Sequence, residues 1–268
     1  MALRVCLVDA GLGAVFFGRG ALQPKLGAIS ACNVSALSRS VHVGSEFRTG
    51  LWESMADRTQ LTARDEEILL ALLSKVRVFS VEQIAKTWWC DSQNSKRAAL
   101  RRLQRLSVSD LLSIRRVFVR PLPRLEVPLV SWRPRLPRPR FGPVAWQLQS
   151  RWDSPQSSTA ICFATTTAAK RLGGLNRQLL NPLQVTHDLG TAEVYLQFRI
   201  AEPDKARRWV GEDMLRFAKG QKVPDALIEQ ADRRGFERAI EFGGAYDRRR
   251  LESFHRYCRK KALPYEIW

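Results

Sequence analysis

Seven of the thirteen prolines in this 268-residue chain fall between Pro121 and Pro143. Each proline fixes φ and removes a backbone donor, so no long helix or central strand is expected to cross that stretch. Arg124, Arg133, Arg135, Arg138 and Arg140 are interleaved with them, which predicts an extended connection over residues 122–155. The chain is thereby divided into a segment before the barrier and one after it. Trp132, Trp146 and Trp152 lie in or just beyond the proline stretch. Indoles so closely spaced predict that part of it wraps a folded unit, with stacking on nucleobases as the alternative.

The charge narrows the choice of partner. Forty-four Lys and Arg stand against 26 Asp and Glu, a formal charge of +18, while 45% of residues are hydrophobic. A folded protein with an anionic partner is expected, nucleic acid first and an acidic membrane surface second. No uncharged apolar run approaches the roughly 18 residues of a membrane span, so no membrane is expected as partner. Cys6, Cys32, Cys90, Cys162 and Cys258 are scattered and only three histidines are present, which argues against a structural zinc site or a disulfide framework. A reducing cytoplasm fits that usage. Residues 1–58 hold no sustained period and make a poor signal peptide. They read as a disordered extension, or as sequence upstream of a start at Met55.

Residues 59–121 are regular. "TARDEEILLALLSKV" opens with Thr62 and Asp65 in a capping-box spacing and then places Ile68, Ala71, Leu72 and Val76 on one face. "FSVEQIAKTWW" repeats the box with Ser80 and Gln83. In "SKRAALRRLQRL", Ala99, Leu100, Leu103 and Leu106 share one side while Arg97, Arg101, Gln104 and Arg105 share the other. "RRVFVRPLP" then alternates as a strand. Two helices, a basic helix and a hairpin form the order of a winged helix-turn-helix, whose third helix enters the major groove and whose wing sits on phosphates. Lys96, Arg97, Arg101 and Arg105 are the candidate DNA contacts on the helix, with Arg115 and Arg116 on the wing. A merely solvated arginine face is the plain alternative.

Residues 156–268 read as a second, α+β unit. "TAICFA" is its expected opening strand and "TTTAAKRLGG" a short helix. "HDLGTAEVYLQFRI" carries a pattern that helix and strand both partly fit and is expected as a helix capped by Asp188, with "RRWVGEDML", "VPDALIEQ" and "FERAIEFGG" then expected as strands, "YDRRRLESFHRYCRKKA" as a helix and "PYEIW" as a strand. Asp225 and Glu241 would stand near strand ends, where acids commonly hydrogen-bond to turns or cap a following helix. His187 and His255 are expected to cap or pack.

The α-β-β-β-α-β order with Pro-Asp before one strand resembles the core of PD-(D/E)XK nuclease-like proteins, the restriction-endonuclease-like fold. The resemblance implies a carboxylate set of Glu193, Asp225 and Glu241, with Asp225 and Glu241 the tentative magnesium ligands. It leaves Gly243 where the lysine would stand, with Lys222 as a substitute cation. In such sites carboxylates hold magnesium, which generates hydroxide and stabilises phosphate charge. The winged helix together with "HDLGTAEVYLQFR", "VPDALIE", "IEFGGAYDRRRLESFHRYC" and "LPYEIW" is similar to plasmid replication-relaxation proteins, over residues 62–268. That resemblance implies binding of double-stranded DNA in replication or transfer of a plasmid or mobile element, by a nuclease-like domain that has lost catalysis and uses no cofactor. Two other readings stand beside it. One is a magnesium-dependent nuclease or nickase; the other is an interaction scaffold forming a homodimer through Tyr257, Tyr265 and Trp268.

Overall fold

The computed structural model describes residues 60–90, 93–175, 184–215, 223–232 and 234–268. The expected extension over residues 1–58, Met55 and Lys222 lie outside them. Helix α1 (Ala63–Ser74) starts at the Thr62 box: Thr62 N donates to Asp65 Oδ2 at 2.8 Å and Asp65 N to Thr62 Oγ1 at 3.3 Å. After a two-residue strand β1 (Phe79–Ser80), α2 (Val81–Trp88) opens on the reciprocal Ser80–Gln83 box. The basic segment forms α3 (Ser95–Val108), which buries Ala99, Leu103 and Leu106.

Asp65 does more than cap. Its carboxylate is fully buried, and Arg102 Nε on α3 donates to its two oxygens at 3.0 and 3.1 Å. Burial pushes this carboxyl up, but hydrogen bonds from Arg102 and Thr62 outweigh it and hold the group below the ordinary aspartate value. One acid thus starts α1 and fixes α3 against it.

The sheet of this module departs from the sequence expectation. Strand β2 (Leu112–Val119) pairs along its whole length with β4 (Ser157–Ala164), from Leu112 opposite Ala164 to Val119 opposite Ser157. β1 pairs with the other edge of β4, giving the antiparallel order β1-β4-β2. "TAICFA" therefore completes the first sheet instead of opening a second unit. Eight paired residues and the burial of Ile161 and Cys162 under the helices outweigh proximity in sequence.

The proline-rich connection is also more regular than expected. Strand β3 (Val130–Trp132) fits between Pro128 and Pro134, and α4 (Phe141–Ser150) takes Pro143 in its first turn, where backbone donors have no intrahelical acceptor. Trp132 is buried and Trp146 is exposed, so one indole packs and the other does not.

The remaining elements are α5 (Thr166–Leu172), α6 (Val185–Ala201), α7 (Pro203–Arg207), β5 (Trp209–Gly211), β6 (Ala226–Glu229), β7 (Phe236–Glu241), α8 (Arg248–Lys260) and β8 (Tyr265–Ile267). The expected helix, three strands, helix and strand follow one another as read, with α7 interposed. The second sheet is mixed, in the order β3-β8-β7-β6-β5; β7 and β8 run parallel and the other pairs are antiparallel. Parallel neighbours need a crossover, and α8 supplies it.

Alternation along β6 and β7 sorts the core. Leu227 and Ala239 point to the side packed by α4 and α8, while Ala226, Ile228 and Ile240 join the cluster containing α6. That cluster continues into Ile68, Leu72, Leu103 and Leu106 of the helical module, so both sheets draw on one apolar interior. Polar ties reinforce the junction. Glu67 accepts from Arg199 Nε at 2.6 Å and Trp88 Nε1 at 2.9 Å, and Lys75 Nζ donates to the carbonyls of Arg207 and Trp209 at 2.7 and 2.8 Å. Tyr265 and Trp268, expected on a dimer surface, are buried inside the chain.

Asp65→Ala removes the cap and strands Arg102, and should cost about 3 to 5 kcal/mol in urea denaturation at neutral pH. The stabilisation from ionised Asp65 is present above the ordinary aspartate pKa near ~3.9 and is lost as pH falls through its lower folded value. The gap between the variant and the parent protein should therefore narrow in acid.

Candidate functional site

Two features of the fold carry chemistry. The first is the outer face of α3. Lys96, Arg97, Arg101 and Arg105 are all exposed, while Ala99, Leu103 and Leu106 are buried on the opposite side. Arg97, Arg101 and Arg105 lie four residues apart, a stripe of roughly 12 Å along the helix. A groove beside it is lined by Arg101, Gln104, Arg105 and the residues leading into α1. Arg115 and Arg116 are exposed on β2; Arg115 Cζ lies 5.3 Å from the Phe163 ring centroid, and Arg116 Nε donates to Ser158 Oγ at 3.2 Å. Phe118, two positions beyond Arg116, is also exposed. The basic comb of α3 stands outside the core as its amphipathic pattern predicts, and the two arginines of β2 are exposed as well.

The second feature is a group of acids where α6 meets the start of β6 and the end of β7. Asp225 Oδ2 accepts from Phe242 N at 2.7 Å and lies 3.4 Å from His187 Nε2. Glu241 is buried at the end of β7 and accepts from Tyr246 Oη at 2.8 Å. Asp225 and Glu241 both act electrostatically on His187 and Tyr246, so the structure does bring these two carboxylates to one locality. Glu193 is engaged elsewhere. It accepts from Gln83 Nε2 at 2.8 Å, and the same amide group donates to Leu189 O at 2.9 Å. Its cleft is shared with α2 and the Arg120–Glu126 segment.

The acid on α6 that faces Asp225 is Asp188, and it is met by a cation the sequence reading did not single out. Arg77, in the turn between α1 and β1, reaches Asp188 at 3.2 Å and Glu212 at 2.9 Å, and its Nε donates to Asp213 at 2.8 Å. Arg77, His187, Asp188, Glu212, Asp213 and Asp225 line one small pocket. The Asp213 hydrogen bond, with the charges of Asp188 and Glu212, holds the Arg77 guanidinium protonated against its burial. Burial raises the carboxyls of Asp188 and Glu212, and Arg77 opposes that rise. Burial lowers His187, yet Asp225 and then Asp188 and Glu241 outweigh it and bring its pKa up to about 9. With Lys75, which also lines the pocket, three basic side chains of the chain itself stand among these acids.

Magnesium, which the nuclease-like resemblance implies here, does not fit these residues. Guanidinium and imidazolium groups already stand against Asp188 and Asp225, and a dication beside them would be repelled. Among the described residues no group of three His, Cys, Asp or Glu side chains is arranged to hold a metal ion. Position 243, where the resemblance would put a lysine, is closed too. A Cβ on Gly243 would fall 2.6 Å from the methyls of Leu148 on α4, a fully buried side chain. Gly190 serves the opposite wall: a Cβ there would lie 2.2 Å from the Phe242 ring, so only glycine lets α6 approach the end of β7. That approach places His187 beside Phe242, ring centroids 5.5 Å apart. His255, the other histidine considered, packs as expected and pairs with Tyr265 Oη at 3.0 Å.

Sequence reasoning missed Arg77 and Asp188. The available signal was a charged residue between Val76 and Val78, both buried, and an acid directly after His187 in the first turn of α6. Comparison with protein-family models, curated proteins and solved structures finds no match to this chain.

Two outcomes follow for this pocket. Since the His187 pKa is raised by folding, its stabilisation is present below the unfolded value near ~6.5 and disappears as pH rises through about 9. Stability by denaturant titration should decline over that interval in the parent protein and be flatter in His187→Gln. Gly190→Ala should lower stability by about 1 to 3 kcal/mol through overpacking against Phe242, read from the same titration.

Proposed function

We propose that this chain is a DNA-binding regulator or accessory protein in replication or transfer of a plasmid or other mobile element. In this reading it joins a winged helix to a restriction-endonuclease-like domain that has lost catalysis. The observation that carries the reading is the exposed stripe of Lys96, Arg97, Arg101 and Arg105 on a helix anchored from behind by Ala99, Leu103, Leu106 and the Asp65–Arg102 pair. Arginines in that position reach guanine edges and phosphates, and the wing cations Arg115 and Arg116 extend the phosphate contacts. The +18 charge supports a polyanionic partner, with affinity that falls steeply with salt. The resemblance to replication-relaxation proteins supports the biological setting. Arg77 and His187 in the acid pocket, together with the closure of position 243, support loss of metal-dependent cleavage.

The test is one experiment on supercoiled plasmid, with and without magnesium or manganese, read for both gel shift and nicking. The parent protein should retard the plasmid and leave it supercoiled. Replacing Arg97, Arg101 and Arg105 with Ala should weaken binding by several kcal/mol, taking about 1 to 3 kcal/mol for each good bidentate contact. Metal-dependent nicking that disappears in Asp225→Ala would instead make the protein a nuclease. Unchanged retardation by the triple variant would remove α3 as the reading element.

A further inference from the structure

We propose that the chain has a second DNA-contacting surface, remote in sequence from α3, in which the arginine-rich connection and the outer face of α8 hold the phosphate backbone of double-stranded DNA. The inference rests on the proposed function for the identity of the polyanion.

The surface follows from how two acid-poor segments are packed. Residues 127–152 contain five arginines and no Asp or Glu, and residues 248–261 contain seven Lys or Arg and one acid, Glu252. The fold holds them on the same side of the second sheet: β3 pairs with β8, and α4 packs against α8 over Phe141, Leu148, Leu251 and Phe254. Helix α8 turns Leu251, Phe254, His255 and Cys258 inward, leaving Arg256, Arg259 and Lys260 exposed. Arg133, Arg135, Arg138 and Arg140 are exposed on the connection.

Arg138 joins the two segments. It bonds to Glu252 of α8, and its guanidinium lies 5.6 Å from the Phe141 ring centroid. After burial, Arg259 and Arg138 are what hold the His255 imidazole below its ordinary value, which puts cations of both segments in reach of one ring. The one acid within the two segments is already shared, since Glu252 also accepts from Arg248 at 2.8 Å. Among the described residues Arg133, Arg135, Arg140, Arg256, Arg259 and Lys260 form no ion pair. Gathering so many like charges without counter-charges is unfavourable in the free protein. A closely spaced anionic lattice relieves that repulsion, and the regular phosphates of a duplex supply one.

The measurement is fluorescence anisotropy of the full chain with a labelled duplex of random sequence, across a series of salt concentrations. The variants are Arg133, Arg135, Arg256 and Arg259 all to Ala, the same four to Lys, and the α3 triple. All four positions are exposed, and circular dichroism and thermal melting check that each variant remains folded. The quadruple Ala variant should reduce the slope of log K against log salt by about 0.9 for each phosphate it no longer neutralises, and the Lys set should restore it. A quadruple variant with the parent slope and affinity overturns this inference, while loss of binding in the α3 triple leaves the proposed function standing. Weaker binding by the quadruple variant with an unaffected α3 triple supports this surface and overturns the role of α3. A parent protein that binds no duplex overturns both.

Discussion

Arg77 is the interaction on which the rest of the arrangement depends. Its guanidinium stands in a turn of the helical module and is surrounded by Asp188 from α6 and by Glu212 and Asp213 from the turn after β5. Taking three carboxylates partly out of water costs several kcal/mol unless a counter-charge with matching donors is supplied, and arginine's planar fork supplies up to five donors. The fork also carries directional information. Satisfying three acids on two elements fixes where α6 and that turn lie relative to α1 and β1. Lys75, two residues earlier, adds bonds to the carbonyls of Arg207 and Trp209. The apolar cluster shared by α1, α3 and α6 supplies the bulk attraction across this junction, and Arg77 selects one geometry from those that burial alone would allow.

The same network accounts for the state of the acid pocket. A site that assembles carboxylates and then sets its own cations against them balances their charge internally. Asp225 is committed to Phe242 N and His187, and Glu241 to Tyr246. These acids brace the ends of strands and the approach of α6, with Gly190 giving the space and Phe242 filling it.

Local signals in the sequence were strong where the physics is local. The Thr62–Asp65 and Ser80–Gln83 boxes, the apolar stripe of α3 and the elements β6, β7 and α8 depend on neighbours within a turn or a strand, and each is found as read. Helix α6 is also found, but it begins at Val185, so Asp188 lies in its first turn and is not its cap. Partners distant in sequence were not legible. Nothing near Leu112–Val119 indicates that its partner is Ser157–Ala164, because the alternation of both strands suits any antiparallel neighbour. Prolines also misled: Pro128 and Pro134 exclude a long strand yet leave room for three edge residues, and Pro143 is harmless in a first helical turn. Asp225 and Glu241 were identifiable from Pro-Asp and the strand-end position. Their companions His187, Asp188 and Arg77 depend on a tertiary meeting that periodicity does not encode.

The return of the chain at β4 has a consequence for how the protein forms. Because residues 120–156 lie between the strands of the first sheet, and β3 within that interval pairs with β8 of the second, the two sheets are interleaved along the sequence. Much of the native pairing therefore joins residues far apart in sequence, and closing such long loops slows folding relative to a free-standing winged helix. During synthesis, helices α1 to α3 emerge before the strand that covers them exists. The apolar surface they do not bury against one another lacks its native cover until Ser157–Ala164 and then α6 have been made, and the five-stranded sheet is completed only when β8 docks. Assembly of the basic helix α3 onto its scaffold is thus a late event, coupled to formation of strands far along the chain.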